Sequence, residues 1–402
     1  MELFRHELKK VIQMPAIWIF AAVCIGFNIC LFFSDIVYPG YEGYVQKTAH
    51  KTGYVLNDKF YAVLEEVSAS ELTLSEISES DLYEIDTKTL QNAQNLQDLI
   101  CETKDVRDVF DDYDITSLAE AYIKKYGIKN EWIADAMREK YKNTQPYVEQ
   151  KATKNESLTL YTADYTRYSF ESLFGTLMPA ILMEGILLAA LITLFSIGYE
   201  NINSAELVVY STKCGRNVLI PKLGVSLLCG LVGYLIIAII SLGIYFAAHD
   251  YSAIWNSSIS SLFNFLNDAC GPRPFTTYGS FTIWQYLLAV VGVSVLMVIV
   301  FTMMAFIIGM IQRNAYAAFG TLLIVNASTV LLIMTLSLNN VLRYILCLSP
   351  IALWIQQGRW FTDGLENILC THFETVGTLG SLAVLSALCL VMLKTFKRRN
   401  IT

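Results

Sequence analysis

Six apolar runs constrain this chain more than anything else in it: Pro15–Phe33, Leu173–Gly198, Val218–Ala248, Ile283–Ile311, Ala315–Leu336 and Val376–Leu393. A helix that crosses a bilayer needs roughly 20 such residues, so each run reads as a span. Several exceed the minimum, which predicts tilt, kinks or interfacial ends. Charged residues make up only 16% of the chain, against about a quarter in a soluble domain. The fold class that follows is an all-α polytopic membrane protein, with six transmembrane helices and a mainly helical domain outside the membrane.

The net charge of −7 conceals an asymmetry. With six spans, eleven Lys and Arg fall on one side: Arg5, Lys9 and Lys10, then Lys213, Arg216 and Lys222, then Arg313, then Lys394, Lys397, Arg398 and Arg399. The short loops on the other side hold Arg273, Arg343 and Arg359. Basic residues in short loops stay inside, so both termini are expected in the cytoplasm of a multi-pass plasma-membrane protein. The insert 35–172 carries 26 acidic and 15 basic residues, net −11, and is expected outside. Phe33-Ser34-Asp35 lacks a small-residue cleavage pattern, so the first run is expected to stay as an anchor.

The division expected is a cytoplasmic amphipathic helix over 1–14, a span over 15–34, an extracytoplasmic domain over 35–172, a five-helix membrane region over 173–393 and a basic tail over 394–402. In the opening helix Leu3, Phe4, Leu8, Val11 and Ile12 share a face, the pattern of a helix lying in the interface or extending the first span. In the insert, Thr87 to Phe110 has helical spacing. Ser117 and Glu120 form a capping-box pattern, Gly127 sits at a C-cap and Asn130 at an N-cap. Trp132, Ile133, Ala136, Met137 and Tyr141 would share one face. The acidic run Asp111-Asp112-Tyr113-Asp114 reads as a solvated turn, since it lacks calcium-loop spacing. Between the last two spans, 340–373 is apolar but short and broken by Ser349-Pro350. It is expected to form short outer or re-entrant helices, a lid over a central path.

Enzymatic chemistry finds no support in the sequence. There is no phosphate-binding loop, nucleophile elbow or His-Glu-x-x-His helix, and His6, His50, His249 and His372 are scattered. One acidic residue lies deep inside a span: Glu184, in the second. A charge there is costly, so it faces protein or water, either as a substrate or cation contact or as a protonated acid bonded between helices. Pro179, five residues earlier, removes a backbone donor and is expected to kink the same helix. Ser226-x-x-x-Gly230, Gly233 and Gly377-x-x-x-Ser381 allow close helix approach, within one subunit or between two. Cys270 and Cys370 lie in outer loops, where a bridge is one option.

The polar loop between spans two and three reads Glu200…Glu206-Leu207…Ser211-Thr212…Gly215-Arg216…Lys222. Together with the amphipathic opening helix and the Ser349-Pro350 break, it resembles the permease subunits of ATP-binding-cassette transporters of the type-2 exporter class. The insert is similar to that of sodium- or peptide-exporting and bacteriocin-immunity subfamilies. The resemblance implies a dimer of permease halves, identical or homologous, with a cytoplasmic ATPase docked under each. ATP and Mg would sit on that partner and no cofactor on this chain, and no nucleic acid is implied. It further implies that the loop 199–217 carries the coupling helix, that Glu200, Glu206, Ser211, Thr212, Arg216 and Lys222 serve the ATPase contact, that Glu184 and Pro179 lie on the translocation path, and that Ser349 and Pro350 belong to an outer lid. The alternatives are force transmission to the outer domain without transport, and peptide sensing or immunity through that domain.

Overall fold

The second apolar run forms the axis around which the others pack. In this computed structural model, which describes residues 2–34, 49–63, 65–66, 109–156, 170–205, 208–209, 217–312 and 314–398, the spans are α2 (Pro15–Ser34), α5 (Met178–Ile202, continued backwards by a π-helical stretch Glu171–Leu177), α6 (Leu219–Ala248), α7 (Ile283–Gln312), α8 (Ala315–Thr335) and α11 (Phe373–Arg398). Among the described residues these six are long and apolar enough to cross a membrane. The chain is an all-α polytopic membrane protein. The α5 span is 72% buried, against 11% for α8 and 17% for α11, so α5 is the core helix and the last two expose most of their surface.

Small residues let the helices close on α5. A Cβ on Gly230 of α6 would lie 2.9 Å from Ala189 Cβ. On α5 itself, Gly185 receives the ring of Tyr234. The small-residue spacing of α6 therefore serves packing inside one subunit. Gly377 of α11 lies against the Leu348 carbonyl, where an added Cβ would come within 2.8 Å of the oxygen. A backbone oxygen cannot rotate away, so Gly377→Ala is expected to cost about 1–3 kcal/mol from overpacking. Gly380, one turn on, has nothing within 4 Å. In thermal denaturation of the purified protein, Gly377→Ala should lower the midpoint and Gly380→Ala should not.

The amphipathic α1 (Glu2–Ile12) packs on the α5–α6 end of the bundle, with Val11 buried and the Phe4 ring against Gly224. At the opposite end sit two helices of the insert, α3 (Ser117–Tyr126) and α4 (Glu131–Thr153). The residues 67–108, which include most of the amphipathic segment 87–110, lie outside the described residues. Gly127 ends α3 in the left-handed region at φ 58°, a conformation that favours glycine, and the Asn130 side chain accepts from Trp132 N at 3.1 Å to start α4. The capping box does not form. The cap position Thr116 is helical and makes no side-chain cap bond, Ser117 Oγ donates instead to Asp114 O at 2.8 Å, and Glu120 pairs with Arg138 at 2.6 Å. On α4 the buried positions are Ile133, Ala134, Met137, Lys140, Tyr141, Thr144, Val148 and Lys151, while Trp132 is exposed. Of the expected face, Ile133, Met137 and Tyr141 are buried, Ala136 is half-buried and Trp132 points out.

A short antiparallel hairpin, β1 (Ser261–Asp268) and β2 (Gly271–Phe275), lies between α6 and α7. Its turn is set by Asp268, whose carboxylate accepts from Cys270 N at 2.6 Å, and by Gly271 at φ 99°. Between α8 and α11 run α9 (Val341–Leu346), α10 (Pro350–Ile355) and two single 3₁₀ turns. Cys270 and Cys370 are free thiols, so the bridge considered from sequence is not formed.

Candidate functional site

Three buried polar clusters punctuate the bundle from one end to the other. The first lies where α5 ends and α6 begins, at the two roots of the polar loop. Lys222 is fully buried and donates to Glu200 and to the Ser196 carbonyl, with Glu7 of α1 3.8 Å away. Lys10 of α1 completes the cluster, 2.6 Å from Glu7 and 3.3 Å from Glu200, its ammonium over the Tyr199 ring. Burial works against the charged form of Lys10, but the Glu7 hydrogen bond and charge, with those of Glu200, hold its pKa above the ordinary lysine value. Two lysines and two glutamates therefore join α1, α5 and α6 into one block. Glu200 and Lys222 face each other and α1, so they clamp the loop's roots and are not surface for a docked partner. Glu206, Ser211, Thr212 and Arg216 lie outside the described residues.

The second cluster is inside the bundle. Asn28 of α2 donates to Glu184 Oε2 at 2.7 Å and approaches Ser241 Oγ of α6 at 3.0 Å, so one amide ties three helices. Glu184 and Asn28 are both buried. Glu184 lies sixteen residues before Glu200 on the same helix, roughly 24 Å along its axis. It is thus well removed from the charged clamp.

The third cluster closes the far end. Arg273 of β2 donates to Asp363 at 2.8 and 3.0 Å and to Asp268 at 2.9 Å. Tyr141 of α4 donates to Asp363 at 2.7 Å, and Tyr122 of α3 to Asp268. The Lys140 ammonium sits among the carbonyls of Asp363, Leu365 and Ile368, at 3.2, 2.7 and 2.9 Å. Burial pushes Lys140 down to about 8, against the pull of Asp363. Burial alone would raise the Asp363 carboxyl, but the charge of Arg273, then of Lys140, holds it below its ordinary range. Further along α4, buried Lys151 donates to Gly279 O at 2.7 Å and lies 3.5 Å from Glu156. The insert is thereby fastened to the hairpin and to the segment before α11.

That segment sits directly on the start of α5. Trp354 of α10 donates its indole N–H to the Pro179 carbonyl at 2.9 Å, and Gly358 lies against the Phe174 backbone. Pro179 stands at the start of the α-helical part of α5, just after the π-helical stretch, and so marks a change of helix type. Ser349 and Pro350 open α10: Ser349 accepts the Leu353 N–H through its backbone carbonyl at 3.0 Å, and Pro350 occupies the first turn. The stretch from Pro350 to Trp360 therefore covers the α5 entrance, with Trp360 fully buried.

Sequence reasoning missed Glu7, Lys10 and Asn28, and all of the Lys140–Arg273–Asp363 cluster. A polar residue inside an apolar run was the available signal for Asn28; nothing local marked Lys140 or Asp363. Among the described residues no group of His, Cys, Asp or Glu is arranged to hold a metal ion. Comparison with protein-family models, with curated proteins and with solved structures finds no match to this chain.

Proposed function

We propose that this chain is the membrane-spanning subunit of an ATP-binding-cassette exporter, one half of a permease pair in the plasma membrane with both termini cytoplasmic. A separate cytoplasmic ATPase would supply ATP and Mg, dock under the loop 199–217 of each half, and drive efflux of a peptide, antibiotic, lipid-like molecule or ion. The observation that carries this reading is the buried clamp at the roots of that loop. A lysine present only to orient a span belongs in water or among headgroups. Lys222 instead spends its charge inside the protein, on Glu200 and Glu7. A load applied to the loop would reach α1, α5 and α6 together, and α5 is the core helix.

The surface contact would fall to Glu206, Ser211, Thr212 and Arg216 within the loop. Combining Arg216→Glu with Glu206→Lys is expected to reduce co-purification of the ATPase severalfold while leaving the membrane subunit folded. Full retention of ATPase binding and ATP turnover would refute the assignment. The far-end cluster favours one alternative, in which ATP-driven motion is delivered to the outer domain without transport, because Asp363 and Lys140 join that domain to the cover over α5. ATP-dependent efflux from reconstituted vesicles separates the two readings: transport supports the exporter, and ATP turnover without it supports mechanotransmission.

A further inference from the structure

The Asn28–Glu184 contact leaves two oxygen atoms unaccounted for. Asn28 spends its amide N–H₂ on Glu184 Oε2 and Ser241 Oγ, which leaves Asn28 Oδ1 and Glu184 Oε1 without a hydrogen-bond partner. Both residues are more than nine-tenths buried, at 2% and 7% exposure. Buried acceptors without donors are costly, and a lone carboxylate in this setting is costlier still, so such a group takes up a proton. One proton on Glu184 Oε1 satisfies both orphans at once. The acid O–H would then donate to Asn28 Oδ1 beside the observed Asn28 Nδ2–H donation to Glu184 Oε2, closing an acid–amide ring of two hydrogen bonds.

We propose that this seam is a proton-binding site: one proton, held between Glu184 and Asn28, locks α2 against α5 and α6, and parting of the seam releases it. A bare metal cation fits less well, since hard cations take many oxygen ligands, six to eight for Ca²⁺, whereas two free oxygens are what a single proton needs. The surroundings are otherwise poor in charge. The titratable neighbour on α2 is Cys24, on α6 it is Tyr234, whose ring packs on Gly185, and α7 contains no acidic or basic residue. When α2 moves away, the ring opens, water reaches Glu184, and the Oε1–H bond breaks with the proton passing to that water. Closure reverses the step. The proposal stands whether or not an ATPase drives the chain.

Infrared spectroscopy of the full chain in lipid nanodiscs tests it. At neutral pH the protein should show the carbonyl stretch of a protonated carboxylic acid, sensitive to exchange into D₂O. That band should be lost in Glu184→Gln, which preserves shape and can still pair with Asn28. In Asn28→Ala the band should shift, because the acid loses its ring partner; this variant carries the test if Glu184→Gln fails to assemble. An identical band in wild type and Glu184→Gln, or no shift in Asn28→Ala, overturns the proposal. Loss of the band on adding NaCl or LiCl at fixed pH also overturns it, and would make the seam a cation site.

Discussion

Lys222→Met should be among the most damaging substitutions in the membrane part of this protein. The side chain is buried and holds two carboxylates, so removing it leaves Glu200 and Glu7 sharing Lys10 alone. Breaking a buried pair by deleting one partner costs about 3–5 kcal/mol, because an uncompensated charge stays behind. Replacing both members with apolar residues is often nearly neutral. The double variant Lys222→Met/Glu200→Leu is therefore expected to recover much of the loss. Thermal unfolding of the purified protein measures both. If Lys222→Met unfolds at the wild-type midpoint, the clamp does not hold α1, α5 and α6 together. The single variant should also release α1, read as faster proteolysis near residues 2–12.

Asp363→Ala is the counterpart at the other end. Asp363 is buried, binds Arg273 with both carboxylate oxygens and accepts from Tyr141, so its loss leaves the guanidinium with Asp268 alone and the Tyr141 phenol without its acceptor in the interior. A cost of about 3–5 kcal/mol is again the expectation. Its location differs, however. The insert should lose its hold on the segment before α11, so hydrogen exchange should rise in α3, α4 and residues 356–372 while the centre of α5 stays protected. The carboxyl also makes a pH prediction. Its folded pKa lies below its unfolded one, so its stabilisation is present above about pH 4 and fades as pH falls through the lower folded value. The wild-type insert should loosen in that acid window, and the Asp363→Ala protein should show a smaller change there. Equal acid sensitivity in the two proteins would contradict the role given to Asp363.

The spans were legible because length and hydropathy are local properties: a run such as Ile283–Ile311 has nowhere to go but across a membrane. The amphipathic opening helix was legible for the same reason, since Phe4, Leu8 and Val11 recur at helical spacing. What packs on its polar side was not, because the Glu7–Lys222 and Lys10–Glu200 contacts join residues some two hundred positions apart. Glu184 stood out as an acid in an apolar run, yet its partners Asn28 and Ser241 come from two other helices. Lys140 shows the limit most clearly. It lies on the buried face of α4 beside Tyr141, but a lysine on a helix reads as solvated until the three carbonyls that receive it are seen. The hairpin at Ser261–Phe275 was overlooked because SLFNFLND has no strict apolar–polar alternation and GPRPF carries two prolines, which argue against a strand.

The account rests on the polar loop after α5 facing the compartment that holds ATP. Cys214 lies in that loop, and the free, exposed Cys270 lies in the turn at the opposite end of the bundle. Intact cells treated with a membrane-impermeant maleimide, followed by mass spectrometry of the purified chain, read both sides in one molecule. The expected result is label on Cys270 in intact cells and on Cys214 only after the membrane is opened. Label on Cys214 in intact cells, with Cys270 protected, would contradict the account.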